Sequence, residues 1–296
     1  MATLTGLHLY PVKSTYRMSP TSARVEPWGL EGDRRWMLVD PRGRALTQRE
    51  IPALGQYRAV PRPDGTLDLT APDGARIAIP APSTAAGDPE LLVEIWGTEV
   101  SAAEAAKEAR DFLAERLGDV RLVHLDRPGS SRPVDPRYAV PGDTVSLADG
   151  YPLLLASTSS LADLNARIAA DHPDDPRKAA PAPIERFRPN LVVDGTEPWA
   201  EDGWRRVRIG EVVFRVTKMC GRCVVTTIDQ EAGERRGPEP LRALGRHRKF
   251  GDKLAFGTNL VPERPAGSGR VLGTLRLGDE VTVLEEGPRP TPELRA

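Results

Sequence analysis

The chain has only two cysteines in 296 residues, Cys220 and Cys223, and only four histidines. Two thiols so close in sequence cannot staple a disulfide framework. His8, His124, His172 and His247 stand at no finger spacing from them, which argues against a four-ligand structural zinc site. The Walker and dinucleotide glycine patterns are both missing, so nothing local points to ATP or NAD. No stretch approaches the ~20 apolar residues of a membrane span. The opening run, Met-Ala-Thr-Leu-Thr-Gly-Leu-His-Leu-Tyr10, alternates like a strand and lacks the basic head and apolar core of a signal peptide. A formal net charge of -1 creates no global field for nucleic acid or an anionic membrane. These absences predict a reduced, cytoplasmic, enzyme-sized protein with neither nucleic acid nor membrane as partner. Any anion site in it has to be local.

What is present is mainly β. Asp64-Gly65 and Asp73-Gly74 separate short alternating runs and are strong hairpin signals, and Trp36 to Gln48 reads as a further hairpin. Residues 101–117 have helix composition, with Gly118 placed to stop it. A second helix is expected over 160–168, where Ser160 and Asp163 have capping-box spacing. Proline and charge make 172–186 a loop. Strands are expected over 190–193, 207–209, 211–216, 223–228 and 279–284. With no βαβ alternation, the pattern predicts two β-barrel-like units with attached helices. The expected division is an N-terminal domain over 1–125, a second over 126–285, and a mobile tail over 286–296.

Chemistry concentrates around Cys223, in Lys218-Met-Cys-Gly-Arg-Cys-Val-Val-Thr-Thr-Ile-Asp229. A cysteine there is either a small buried hydrophobe or a thiolate suited to a soft metal or to sulfur chemistry. Cys220-Gly-Arg-Cys223 has dithiol spacing, yet a strand rather than a helix is expected to follow, which disfavours dithiol redox chemistry. Basic residues recur beside small polar ones in Tyr10-Pro-Val-Lys-Ser14, Gly32-Asp-Arg-Arg-Trp36 and Arg186-Phe-Arg-Pro-Asn190. Each set is either a solvated surface charge or a phosphate donor.

These segments, with Glu201-Asp-Gly-Trp204, Arg222-Cys-Val-Val-Thr-Thr-Ile-Asp229 and Phe256-Gly257, resemble in order the MOSC-domain proteins that carry an N-terminal MOSC β-barrel domain. The mitochondrial amidoxime-reducing component and its bacterial relatives belong to that group. The resemblance spans about positions 8 to 283 and implies an N-terminal MOSC β-barrel domain followed by a MOSC β-barrel domain with attached helices. It also implies a molybdenum cofactor, Mo-molybdopterin, with Cys223 as metal ligand and catalytic centre. Arg222 would supply positive charge beside that thiolate, while Cys220 falls outside the role. Lys13, Ser14, Arg34, Arg188 and Asn190 match positions that hold the pterin and its phosphate. Asp149, Gly150 and Asn259 fall in cofactor-side segments where this chain departs from the mitochondrial pattern, reading Asp149-Gly-Tyr-Pro152 and Phe256-Gly-Thr-Asn259. The implied activity is oxygen-atom abstraction from small N-oxygenated substrates: amidoximes, hydroxylamines and N-oxides. Without cysteines for an iron-sulfur cluster, a separate ferredoxin-, flavin- or cytochrome-type donor is expected to supply electrons. The alternative from another class is a non-catalytic carrier of molybdenum cofactor or sulfur that uses Cys223.

Overall fold

The computed structural model describes residues 1–130 and 132–293. The last three residues of the expected tail lie outside them.

Seven strands close into a barrel: β1 (Ala2–Leu7), β2 (Leu153–Ser157), β3 (Leu191–Asp194), β4 (Trp204–Ile209), β5 (Val212–Gly221), β6 (Lys253–Pro262) and β7 (Glu280–Glu286). Around the barrel the order is β2, β3, β1, β7, β4, β5, β6 and back to β2. Only β2 and β3 run parallel. The connection between those two carries helix α2 (Thr158–Asp171), as a parallel crossover requires. Alternate residues of each strand fill the interior, among them Leu4, Leu155, Val193, Val207, Phe214 and Leu260. The seam between β2 and β6 depends on Gly257, at φ +73°, where a Cβ would stand 2.5 Å from the Leu155 carbonyl oxygen.

The first strand therefore completes the barrel of the second half. A second tie runs the same way, since Ser22–Glu26 pairs with Gly273–Arg276. The rest of the first half is two antiparallel sheets. One orders Trp36–Val39, Arg121–His124, Thr98–Glu104 and Glu90–Ile95. The other is a meander of Arg58–Pro61, Leu67–Thr70 and Arg76–Ile79, with turns at the two Asp-Gly pairs. Trp36–Val39 is buried along its whole length because its faces serve different cores: Trp36 and Leu38 pack with helix α1 (Lys107–Leu117), and Met37 and Val39 with Val93 and Val123. A continuous apolar run is the sequence mark of a strand covered on both sides.

Three expectations about local structure are corrected. Residues 101–104 continue the strand Thr98–Glu104, and the helix begins only at Lys107. Val100, Ala102 and Ala103 are buried by pairing with the adjacent hairpin strand, and that long-range pairing overrides the helical composition. Ser160 and Asp163 form no capping box. The Ser160 hydroxyl donates to Glu201 Oε2 at 2.8 Å, and Asp163 accepts from the Trp199 indole and from Arg167. Finally, 223–228 is not a strand. Val224–Thr227 is a 3-10 turn in which Thr226 Oγ1 donates to the Cys223 carbonyl at 3.0 Å and Thr227 Oγ1 to that of Val224 at 2.7 Å. Threonine hydroxyls that bond three residues back offer the chain an alternative to the ladder. The stretch after 286 is tied to the barrel, with Gly287 N–H donating to the Gly203 carbonyl and Lys249 pairing with Glu293.

Candidate functional site

One cleft of about 850 Å³ is lined by Lys13, Ser14, Arg34, Asp149, Gly150 and Arg188. Asn190, Arg222, Cys223 and Asn259 line it too, so all ten residues singled out from the sequence meet in one place. Arg49 adds a fifth cation to its wall, whereas Asp149 is the single carboxylate there. An anion-binding concavity is what such a lining offers.

The backbone is held in unusual conformations there. Among the described residues five non-glycine positions have positive φ, and four of them line the cleft: Ser14 (70°), Arg34 (46°), Trp96 (52°) and Arg188 (53°). Each costs of order 1 kcal/mol or more and persists only where the surroundings impose it. The imposing contacts are visible. Arg34 N–H donates to the Tyr10 carbonyl, and the Arg34 carbonyl accepts from Leu147 N–H. The Arg34 and Arg188 guanidiniums both pack on the ring of fully buried Tyr10, each 4.1 Å from its centroid. Arg34 Nη1 further pairs with Asp33 at 2.6 Å, and Arg188 Nη1 donates to the Thr15 carbonyl at 2.9 Å. Burial lowers Arg188 to about 10, which leaves it charged at neutral pH.

Lys13 is buried, and its ammonium donates to the Leu147 carbonyl at 3.0 Å and to Asp149 Oδ1 at 2.5 Å. Burial lowers its basicity, and Asp149 opposes that. Desolvation in the cleft works against the Asp149 charge, but Lys13, the Trp96 indole N–H and Arg49 outweigh it and hold the carboxyl well below the usual carboxylate range. That side chain is nevertheless 72% open to solvent, so the pair lies on the cleft wall, not beneath it.

Asn190 is committed to the protein itself. Its amide donates to the His8 carbonyl and Asp33 Oδ2, both at 3.1 Å, and accepts from Leu154 N–H at 3.2 Å. It thereby fixes β2, β3 and the Arg34 loop relative to one another. Asn259 donates to the Lys218 carbonyl at 3.2 Å, which leaves its Oδ1 free to accept. A Cβ on Gly150 would meet nothing within 4 Å.

The two cysteines differ in surroundings. Register shifts against β6 on either side of Met219 bring Cys220 to the cleft while Gly221 stays paired with Ala255, a common use of bulges beside a site. Arg222 is not the partner expected for Cys223: Nη1 lies 2.9 Å from Cys220 Sγ, and Nη2 donates to the Phe187 carbonyl. The cation beside Cys223 is Arg49, with Nη2 3.4 Å from its sulfur. Arg49 also stacks on Trp96 at 4.2 Å. Trp96 sits with Gly97 in a two-residue turn, both at positive φ, between Glu90–Ile95 and Thr98–Glu104. It is 50% exposed at the mouth of the cleft. Sequence reasoning missed Arg49 and Trp96. Trp96-Gly97 carries a hairpin signal in retrospect, but nothing around Arg49 marks it.

Among the described residues no group of three or more His, Cys, Asp or Glu side chains could hold a metal ion. A metal at Cys223 would have to bring its other ligands with it.

Fold and site together define a β-barrel protein with a basic cleft built around one thiol. Residues 1–120 match the MOSC N-terminal beta barrel domain and residues 142–282 the MOSC domain, and the chain belongs to the family of MOSC-domain proteins with that N-terminal barrel. It is 30% identical to mitochondrial amidoxime-reducing component 1 of Mus musculus over 301 residues, covering 96% of this chain and 83% of that protein. It is also 30% identical over 267 residues to a molybdenum cofactor sulfurase of Oryza sativa subsp. japonica, covering 86% of this chain but 32% of that one. Among the described residues no helix is long and apolar enough to cross a membrane.

Proposed function

We propose that the protein binds a molybdenum cofactor in this cleft, with Cys223 as the protein ligand to the metal, and uses it to reduce N-hydroxylated compounds. The observation that carries the reading is convergence: Lys13, Arg34, Arg188 and Cys223 come from distant segments yet line one cleft. The lining fits the group. Cations for a phosphate share the lining with a partly exposed thiol, and soft thiolate suits molybdenum. Two buried polar atoms on the wall, Arg222 Nε and Tyr151 Oη, have no protein partner. Lys13, Arg34 and Arg188 would hold the phosphate end, with Ser14, Gly150 and Asn259 against the pterin, and Asn190 would keep the loops in place. Asp149 would also lie on the cofactor side, and Trp96 would face incoming substrate.

When bound, the cofactor supplies a two-electron centre able to accept an oxygen atom. For an amidoxime the balance is cleavage of the N–O bond with two electrons and two protons, giving the amidine and water. The electrons come from a separate ferredoxin-, flavin- or cytochrome-type protein. The chain's part is to orient the substrate beside Cys223 and keep the charged wall preorganised. The test is protein from a cofactor-competent host, assayed for molybdenum content and for amidoxime reduction driven by dithionite with a viologen. Stoichiometric molybdenum without turnover would favour the second reading, a cofactor or sulfur carrier, which the similarity to a sulfurase segment keeps in play.

A further inference from the structure

The turn after Cys223 separates two concavities. Cys223, Val225 and Thr226 line the cleft, whereas Val224 and Thr227 line a second groove of about 810 Å³ on the other side. That groove has an apolar floor of Val224, Leu241 and Leu254, with Arg235 and Arg242 on its rim and no carboxylate in its lining. Both arginines are exposed. Arg235 gives one hydrogen bond, to the Arg49 carbonyl at 3.2 Å, and neither has an ion-pair partner among the described residues. Gly237 and Pro238 are shared with an adjoining hollow that adds Arg177, Lys178, Arg186 and Arg236. The only acid in that hollow, Glu239, is engaged by His172 Nε2 at 3.0 Å and Ala243 N–H at 2.9 Å. Lys178 pairs with Asp175, Arg186 with Asp229, and Arg236 with Asp229 and Glu234, so among the described residues the uncompensated charge of this face lies in Arg177, Arg235 and Arg242 around an apolar centre, one residue from the thiol of the cleft.

We infer that this face is where the electron donor docks, and that the donor is a small acidic redox protein. The inference rests on the reductase reading for its purpose but on the surface for its chemistry. Unpaired rim arginines steer an acidic partner and set its orientation, and the apolar floor gives the contact its dry centre. A donor seated there has its nearest edge separated from the metal site by the Val224–Thr227 turn alone, so electrons enter from behind Cys223 while the mouth of the cleft stays open to substrate.

The experiment uses the full-length protein and a plant-type [2Fe–2S] ferredoxin as the acidic probe. Binding is measured by calorimetry at two salt concentrations for the wild type, for Arg235→Glu with Arg242→Glu, and for the matched control Arg208→Glu with Arg276→Glu. The last two arginines lie outside both hollows. The groove variant is expected to bind about tenfold or more weakly and with a shallower salt dependence, while the control stays within about twofold of wild type. Ferredoxin-driven amidoxime turnover should fall in parallel, with viologen-driven turnover unchanged. Equal weakening in the control, or no binding by the wild type, would overturn the docking site. If viologen drives no turnover, the reductase reading fails by itself, and the binding comparison still decides the surface.

Discussion

Removing the Arg188 guanidinium tests whether the cleft is built to hold an anion. Arg188 has one protein acceptor, the Thr15 carbonyl, and one stacking partner, Tyr10, so most of its five donors are not consumed by the fold. A charge-assisted contact to a buried anion is worth about 1.5–3 kcal/mol, and Arg188→Ala should therefore weaken cofactor retention by roughly 10- to 150-fold. Arg188→Lys keeps the charge and loses the planar fork, and an intermediate loss is expected. The assay is molybdenum and pterin content after dialysis, read against the melting temperature so that unfolding is not mistaken for lost affinity. Arg76, exposed on the meander, provides the control. If Arg188→Ala keeps its cofactor as well as Arg76→Ala does, the cations of this cleft are not a phosphate site, and the assignment of Lys13 and Arg34 falls with it.

The cysteines should behave differently: Cys223→Ser should lose molybdenum and activity, while Cys220→Ser, which perturbs the Arg222 contact and a long one to the Gly221 carbonyl, should keep most of both; equal loss would favour a dithiol pair. Trp96→Ala should raise KM for flat aromatic amidoximes several-fold with kcat within about twofold, because the residue is half exposed at the mouth and braces Arg49; an unchanged KM would remove it from the substrate path. Glu201 gives a pH-dependent prediction. Burial, reinforced by Asp202, pushes its carboxyl up to about 7 against the opposing pull of Ser160 and Arg248. The unfolded chain releases this proton near the ordinary value of 4.5 and the folded one near 7, so stability declines as pH rises through that window, by roughly 3 kcal/mol at most. Glu201→Gln should flatten the decline, seen as a smaller difference in melting temperature between pH 5 and pH 8; an unaltered difference would show that Glu201 does not titrate there.

The fold was legible where the pattern is local. The two Asp-Gly hairpins, the helix stop at Gly118 and the strands at 190–193, 207–209, 211–216 and 279–284 follow from alternation and turn chemistry alone, whereas the barrel strands Leu153–Ser157 and Lys253–Pro262 were not read. Local reading fails where a distant partner decides. Residues 101–104 have helical composition and become strand because Glu90–Ile95 supplies a ladder. Ser160 has a cap's spacing and is taken instead by Glu201, 41 positions away. The Val-Val-Thr-Thr run has strand composition, but its hydroxyls are short enough to reach back to carbonyls and curl it into a turn.

The same distinction explains what was visible of the site. Lys13, Arg34 and Arg188 stand in short motifs whose order resembles a known family, so they were found, although nothing local says that two of them share one tyrosine ring. Arg49 and Trp96 stand in no such motif. They reach the cleft because β1 and Ser22–Glu26 lace the first half into the barrel of the second, which brings the first-half loops over Cys223. The nearest sequence neighbour, Arg222, was the obvious counter-charge for Cys223 and is the wrong one: Cys223 begins the 3-10 turn, so adjacent side chains diverge and Arg222 turns to Cys220. A cation supplied by the other half couples the thiol to the packing of the two halves. Loosening that packing should disturb Cys223 and the phosphate cradle together, because Lys13, bonded to the Leu147 carbonyl, and Arg188, bonded to the Thr15 carbonyl, also bridge the halves.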